Sequence, residues 1–229
     1  MASGTGLSRS EPARVGLSRS TEDTLTDGSP DVAQDPGAAN DDRTIVEAVL
    51  AGDQSAYRRL VERESASVIG ACARILGDRS EAEDVAQEAF VIAYRSLGSW
   101  RADGSFGAWL SRIAVRLAIR SAGRRKKVAW LDPIAAEADE PGSDRYRTSG
   151  TAEAVDPAHT ILRAEQDARV RAAVAALDEP YREVVALRFF AERSLLEIAE
   201  ATGRPLGTVK THLHRGLARL RPALEDHDK

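Results

Sequence analysis

Apolar residues recur every three or four positions along two long stretches of this chain. In the first stretch, 43–127, the repeating positions include Ile45, Val49, Ala56, Leu60, Val68, Cys72 and Leu76. This period places them on one face of an α-helix, and no stretch alternates clearly enough to predict a strand. The helical pattern resumes near Ala158 and runs to Leu224. The sequence therefore predicts an all-α protein with two small helical domains, at 43–127 and 158–226.

Two polar segments precede and separate these domains. Residues 1–42 are rich in Ser, Gly, Asp and Pro and have few large apolar side chains. Such a segment cannot bury enough surface to offset its ordering entropy, so we predict a disordered N-terminal extension. Residues 128–157 carry mostly acids together with prolines and glycines. This composition predicts a flexible acidic linker between the domains.

The composition argues against several classes of function. No apolar run approaches the ~20 residues of a membrane span, and the N-terminus lacks a signal pattern, which predicts a cytoplasmic protein. Cys72 is the only cysteine, so an internal disulfide or thiolate metal cluster is excluded. There is no Gly-rich phosphate loop and no nucleophile–base set. His212 and His214, two residues apart, point to different sides of a helix and suit no usual metal site. We expect no enzyme activity, cofactor or small-molecule substrate.

The C-terminal stretch "ATGRPLGTVKTHLHRGLARLRPAL" contains no acidic residue, although the chain has 36 acids and 32 basic residues. If this stretch is a helix, its apolar residues lie on one narrow stripe: Val209, Leu213, Leu217, Leu220 and Leu224. Basic side chains occupy most of the remaining helix surface. The stretch follows a capping box, Ser194 to Glu197, and a helix break at Gly203. A short helix, a glycine turn and a basic helix are typical of a helix-turn-helix that binds DNA. A solvated surface helix is the alternative interpretation.

The first domain contains a helix with an unusual outer face. The segment "SEAE", 80–83, predicts a capping box with Ser80 as N-cap. On the face opposite the predicted core stand Asp84, Gln87, Glu88 and Val91. A valine among acidic and polar side chains suggests a protein partner with a basic groove, and a solvated acidic helix fits the residues equally well.

The segment 101–127 is strongly basic, with Asp103 as its one acid. Phe106, Leu110, Ile113 and Leu117 form its predicted core stripe. Arg112, Arg116 and Arg120 follow one another at intervals of one turn, beside Trp109. Cations at this spacing next to an indole suit single-stranded DNA, since phosphates pair with arginines and a base stacks on the ring. In the alternative interpretation, Trp109 belongs to the core and the arginines are solvated.

Three motifs resemble one known family. "AEDVAQEAFVIAY" and "WRADGSFGAWLSRIA" resemble region 2 of the extracytoplasmic-function (ECF) sigma factors of bacterial RNA polymerase, and "GRPLGTVK" with the basic helix resembles region 4. The resemblance implies roles for individual residues. Contacts with core polymerase would come from Asp84, Gln87, Glu88 and Val91. Capture and melting of the −10 element would use Trp100, Arg101, Asp103, Ser105, Phe106, Trp109, Arg112, Arg116, Arg120, Arg124 and Arg125. Recognition of the −35 element would use Thr208, Lys210, Thr211, His212, His214, Arg215 and Arg219.

The resemblance also implies partners: the β′ clamp helices and β flap of core polymerase, promoter DNA, and an anti-sigma factor. Three positions depart from the family pattern, because Arg116, Arg120 and His212 stand where relatives commonly have other residues. "TVKTH" is also similar to LuxR-type output domains, which leaves a polymerase-independent regulator as the alternative function. Since DNA affinity scales with phosphate neutralisation, an acidic chain with local basic faces should bind DNA poorly without polymerase.

Overall fold

The computed structural model describes residues 36–131 and 157–225, and the regular structure within these ranges is entirely helical. Its helices are α1 Pro36–Leu50, α2 Gln54–Leu76, α3 Arg79–Arg95, a 3₁₀ turn Leu97–Ser99, α4 Phe106–Leu131, α5 Pro157–Ala176, α6 Tyr181–Phe189, α7 Leu195–Thr202 and α8 Leu206–Glu225. All of them belong to one compact unit, Val32–Lys229. The all-α fold class is confirmed.

Two boundaries differ from those predicted. Helix α1 begins at Pro36, inside the segment predicted to be disordered. It includes Asp42, whose side chain is buried against the first group of helices. Helix α4 continues to Leu131, into the predicted linker, since no proline or glycine stands between Lys127 and Pro133. Residues 1–35 and 132–156, the rest of the predicted tail and linker, lie outside the described residues.

Helices α1 to α4 form the first bundle, in which α2 packs against α1, α3 and α4. Its most buried side chains include Leu60, Val68, Cys72, Ala89, Phe106 and Leu110. Burial raises the pKa of the Cys72 thiol to about 12, so this thiol is protonated and unreactive at neutral pH.

The ends of the helices in the first bundle are fixed by local hydrogen bonds. The Asp53 carboxylate accepts from the first amides of α2, and Gly77, with φ 75°, ends that helix. Asp78, rather than Ser80, caps α3 by accepting from the Glu81 amide at 2.8 Å. The predicted "SEAE" capping box is therefore wrong. Asp and Ser are similarly good N-caps, so the helix begins two residues earlier than the motif suggested.

Helices α5 to α8 form the second group. Ser194 and Glu197 make the predicted capping box at the start of α7, and Gly203, with φ 66°, ends that helix. Helix α8 packs through Val209, Gly216 and Leu220, which lie close to one line along the helix. Gly216 allows close approach to α6, because a methyl group at its Cα would lie 2.7 Å from Val185 Cγ2.

The predicted apolar stripe of α8 is only partly buried. Leu217 and Leu224 remain 41% and 43% exposed. The contact line runs through Gly216 instead, which a count of large apolar residues could not reveal.

The two groups of helices also contact each other directly. Helix α4 packs against α6 and α7, and α2 contacts α5. The sequence predicted two domains on a tether and gave no sign of this contact, which involves several residues predicted to bind DNA.

Candidate polymerase and nucleic-acid interfaces

The outer face of α3 has the composition that the sequence predicted. Asp84, Gln87, Glu88 and Val91 are all exposed, and Val91 retains 47% of its accessible surface. Tyr94, one turn beyond Val91, extends the apolar strip and is 45% exposed. Its spacing of three residues from Val91 was the signal that could have identified it.

The Tyr94 ring is held in place from below. It lies edge-on to the Tyr57 ring at 4.9 Å, and the Tyr57 hydroxyl donates to the Phe90 carbonyl at 2.6 Å. The outer face of α3 is thus an acidic surface with an ordered apolar centre. A basic groove with an apolar floor would be complementary to such a surface.

The loop between the 3₁₀ turn and α4 is anchored by aromatic rings. Phe106 is fully buried, with Trp100 at 6.2 Å on one side and Trp109 at 5.7 Å on the other. Phe106 is thus the support on which both half-buried tryptophans pack, and its predicted DNA contact stays a prediction. Arg101 and Asp103, the exposed side chains of the loop, are free to face solvent.

The backbone of this loop makes a sharp turn before α4. Ala102 has φ 56°, a left-handed conformation that is uncommon for a residue other than glycine. Ser105 Oγ accepts from the Ala108 amide at 3.2 Å, so the predicted base contact of Ser105 competes with a helix-capping bond.

A residue that the sequence analysis did not select fixes the other end of the loop. Asp42 is 2% exposed, and its Oδ2 accepts from the Phe106 amide, the first of α4, at 2.7 Å. Its Oδ1 pairs with Arg63 Nη2 at 2.5 Å. A carboxylate at a helix N-terminus satisfies an otherwise orphaned amide and complements the helix dipole. Asp42 was missed because it lay within the segment predicted to be disordered.

The arginines of α4 do not all face solvent. Arg112 Nε and Arg116 Nε donate to Glu183 Oε1 at 2.9 and 2.8 Å, and Arg204 Nη1 donates to Glu183 Oε2 at 2.9 Å. The Glu183 side chain is 3% exposed, whereas the Arg116 side chain keeps 53%. Glu183 Oε1 thus has cationic partners from the first group of helices, and Oε2 has one from the second group. We name these four residues, Arg112, Arg116, Glu183 and Arg204, the Glu183 cluster.

The pKa of Glu183 reflects two opposing effects. Burial alone raises it, but the hydrogen bond and charge of Arg112, the charge of Arg116 and the hydrogen bond of Arg204 together hold the pKa below its ordinary value. Glu183 is therefore a carboxylate at neutral pH. Further along α4, Arg120 and Arg124 are exposed, and the side chain of Arg125 lies outside the described residues.

Helix α8 presents its basic face to solvent. Lys210, Thr211, His214 and Arg215 are exposed, and Thr208 is half-buried. The Thr211 hydroxyl donates to the Gly207 carbonyl at 2.9 Å within the helix. Arg219 lies 4.2 Å from the centre of the Tyr181 ring and 3.5 Å from Asp178 Oδ2, which orients its guanidinium.

His212 differs from its neighbours on α8. Its ring meets Tyr181 edge-on at 5.7 Å, and among the described residues its buried Nδ1 has no hydrogen-bond partner. Burial and the charges of Arg204 and Arg215 lower its pKa, so the imidazole is neutral at pH 7. His212 can therefore offer a hydrogen bond to a base but no charge to a phosphate.

Neither a metal site nor a membrane span is found in the described ranges, 36–131 and 157–225. They contain no group of three or more His, Cys, Asp or Glu residues placed to hold a metal. Nor does any helix there have the length and apolar character needed to cross a bilayer. The described residues thus carry an acidic face on α3 and basic faces on α4 and α8 of a helical scaffold.

Comparisons with known proteins identify that scaffold. The family Sigma-70 region 2 matches residues 60–128, and the family Sigma-70, region 4 matches residues 167–220. The ECF RNA polymerase sigma factor SigW of Bacillus subtilis (strain 168) is 36% identical over 181 residues, which cover 79% of this chain and 95% of that protein. The ECF RNA polymerase sigma-E factor of Escherichia coli (strain K12) is 35% identical over 177 residues, covering 76% and 89%.

A solved structure agrees. CnrH, in complex with the cytosolic domain of CnrY, is similar with a TM-score of 0.53 and 25% identity, over 81% of this chain and 98% of that one. The chain belongs to the ECF sigma factors of the sigma-70 family, which are DNA-binding transcription initiation factors. None of these similarities favours the LuxR-like alternative.

Proposed function

We propose that this protein makes core RNA polymerase promoter-specific through three separate faces of its helical scaffold. The outer face of α3 binds the polymerase, the loop 100–105 with α4 captures and opens the −10 element, and α8 docks on −35 duplex. The observation that carries the proposal is the charge separation: the α3 face is acidic with an apolar centre, and the faces of α4 and α8 are basic.

Each face suits its proposed ligand. On α3, Val91 and Tyr94 supply apolar contact, and Asp84 and Glu88 supply charge for a basic groove such as the β′ clamp helices. On α8, Lys210 and Arg215 are exposed near the N-terminal half of the helix, where a recognition helix meets base edges and phosphates.

The loop before α4 suits a single strand. Trp100 and Trp109 pack on the buried Phe106, so their rings are fixed, and Arg101 and Asp103 offer exposed polar groups beside them. Unstacking a base costs a few kcal/mol, and a rigid aromatic site with polar edges offsets that cost. The role requires no catalytic group of its own, because the polymerase performs the chemistry.

Two further partners follow from the family. We expect the second group of helices to reach the β flap, and an anti-sigma factor to hold the protein inactive. The similar CnrH was solved with the cytosolic domain of CnrY bound, which supports the expectation of a protein that sequesters this chain.

Run-off transcription from fragmented source-genome DNA by sigma-free core polymerase tests the proposal. Addition of this protein should produce discrete new start sites, which Asp84→Lys with Glu88→Lys should abolish. Glu165→Lys, the same charge change at an exposed position of α5, should leave them intact. Tight duplex binding by the protein alone with no initiation would instead indicate a polymerase-independent regulator.

A further inference from the structure

The loop 100–105 is held at both of its ends by α1, a helix that lies outside the three proposed binding faces. Before the loop, α1 contacts the 3₁₀ turn, whose Leu97 is buried in the same hydrophobic core as Val46 of α1. After the loop, the Asp42 carboxylate of α1 accepts from the Phe106 amide at 2.7 Å. One helix therefore fixes the two points at which the loop begins and ends.

The first turn of α4 needs this contact, because a local cap does not supply it. Ser105 precedes the helix, and its hydroxyl accepts from the Ala108 amide at 3.2 Å. An N-cap side chain reaches the second or third amide of a helix and leaves the first without a partner. Here the first amide belongs to the buried Phe106, and its acceptor is Asp42, 64 positions earlier in the chain.

Asp42 is itself held in one orientation. While Oδ2 accepts from the amide, Oδ1 pairs with Arg63 Nη2 at 2.5 Å. Arg63 Nε in turn donates to Glu64 Oε1 at 2.8 Å. A methyl group built on Gly107 would lie 2.5 Å from Glu64 Oε2, so the Glu64 side chain lies against the same first turn of α4. Side chains from α1 and α2 thus fix the start of α4 together.

The shape of the loop depends on these fixed ends. Ala102 has φ 56°, and a residue other than glycine keeps such a conformation only where the surrounding structure imposes it. Trp100 and Trp109 both pack on the Phe106 ring. A displacement of Phe106 would therefore move both tryptophan rings and relax the turn between them.

We propose that α1 belongs to the −10 site, and that Asp42 is the positioning residue that gives the loop 100–105 the shape needed to receive an unpaired base. The inference rests on the proposed function, since it requires that this loop captures a base. Asp42 is 2% exposed and acts through the Phe106 amide, not by touching DNA. Because contacts with a captured base offset the cost of unstacking it, loss of Asp42 should impair promoter opening specifically.

Holoenzyme assembled with the full chain, on a promoter identified by run-off transcription, tests the inference. Asp42→Ala should lower the permanganate reactivity of unpaired thymines in the opened region about tenfold, because the Phe106 amide loses a charged acceptor. Affinity for core polymerase should stay within about twofold of the native value, because Asp42 is buried away from the α3 face.

A second template separates positioning from a general loss of structure. On a promoter whose −10 segment is already unpaired by mismatches, Asp42→Ala should initiate within about threefold of the native level, since little unstacking remains to be offset. A variant that merely folds or assembles poorly would fail on both templates.

Two more variants dissect the contact. Asp42→Asn should rescue most of the opening, because its amide oxygen can still accept from the Phe106 amide although the ion pair with Arg63 is lost. Arg63→Ala, on a different helix, should lower opening roughly threefold, since it leaves Asp42 in place but less firmly oriented. It remains as a test if Asp42→Ala does not fold.

Two controls match these variants. Asp41→Ala removes an exposed acid beside Asp42 in the same helix. Cys72→Ala removes a buried atom from α2 of the same bundle and so lowers stability without removing the cap of α4. Both should open the promoter as the native chain does.

The possible outcomes are distinct. Equal opening by the native chain and Asp42→Ala would overturn the inference, and so would equal losses on the duplex and the mismatched template. A loss for Cys72→Ala as large as for Asp42→Ala would also overturn it, because stability alone would then explain the defect. Absence of any start site with the native chain would overturn the proposed function and the inference with it, whereas start sites that do not depend on Asp42 would overturn the inference alone.

Discussion

Arg112 and Glu183 join the two groups of helices through a bond of 2.9 Å between Nε and Oε1, across a separation of 71 residues in the chain. Glu183 is the buried member of the pair, and its cationic neighbours are Arg112 and Arg116 on α4 and Arg204 in the turn between α7 and α8. A buried carboxylate with several cationic partners stays ionised and strongly favours the arrangement that supplies them. Its protonation should therefore weaken the fold and the contact between the two groups of helices.

The pH dependence of stability follows from the direction of the Glu183 shift. Its folded pKa lies below the ordinary glutamate value, so its contribution is complete above about 4.3 and is lost as pH falls through the lower folded pKa. We expect Glu183→Gln to lower the free energy of unfolding at neutral pH by about 1–3 kcal/mol. The native chain and the variant should converge on acidification, as measured by urea unfolding across that pH range.

A different pH dependence would contradict this role of Glu183. A constant difference between the native chain and Glu183→Gln at all pH values would show that the ionised form of Glu183 is not what stabilises the fold. Asp178→Asn serves as the control, because Asp178 is largely exposed and its variant should track the native curve.

Asp42 should be required for the position of α4 and its loop. Asp42→Ala leaves the Phe106 amide without its acceptor and Arg63 without its buried partner, so we expect a loss of about 1–2 kcal/mol. Asp41 is an exposed neighbour in the same helix, and Asp41→Ala should have little effect. Thermal unfolding of the two variants measures the difference; equal stability would mean that the Asp42 bonds contribute nothing net.

Sequence periodicity was enough to predict the helices and the principal core residues. Val49, Leu60, Phe106 and Val209 were expected on buried faces, and all are buried. The capping box at Ser194 was also confirmed, because its two partners lie three residues apart and the motif is local. Local features were therefore visible in the sequence in part: the Ser194 capping box was predicted correctly, whereas the N-cap of α3 is Asp78 instead of Ser80.

Long-range contacts were not visible. Asp42 bonds an amide 64 residues away, and nothing near it in the sequence distinguishes it from the acids around it. Likewise, the charge pattern of α4 predicted solvent-facing arginines, and only the fold shows that Glu183 lies opposite two of them. The roles of individual residues in DNA and polymerase binding stay predictions.

The apolar centre of the α3 face should contribute to polymerase affinity. Val91→Ala and Tyr94→Ala remove exposed apolar groups that a groove would cover, and we expect each to weaken core binding by about 1–2 kcal/mol. Competition with a labelled sigma factor for core polymerase measures this loss of affinity. Leu50→Ala, at another exposed apolar position, controls for general surface effects. A loss for Leu50→Ala as large as for Val91→Ala would count against a specific α3 site.

Arg215 should contribute charge to duplex binding, whereas His212 should not. Arg215→Ala in holoenzyme should weaken promoter binding and reduce the dependence of log K on log salt by about one. Because the lowered pKa keeps His212 neutral, His212→Gln should leave the salt dependence unchanged between about pH 6.5 and 8. Arg163→Ala, an exposed arginine on α5, is the matched control. An equal slope for Arg215→Ala and the native chain would place Arg215 away from the phosphates.

Gly216 should be essential to the contact between α8 and α6. A methyl group there would lie 2.7 Å from Val185 Cγ2, closer than nonbonded carbons approach, so Gly216→Ala must displace one helix. Overpacking of this kind typically costs 1–3 kcal/mol, against which alanine gains up to about 1 kcal/mol in helix propensity. Gly207→Ala, in the same helix with nothing within 4 Å, isolates the propensity term and should be neutral or stabilising. Thermal unfolding should therefore show Gly216→Ala to be the less stable of the two variants, and a Gly216→Ala protein as stable as Gly207→Ala would show that α8 can shift without loss.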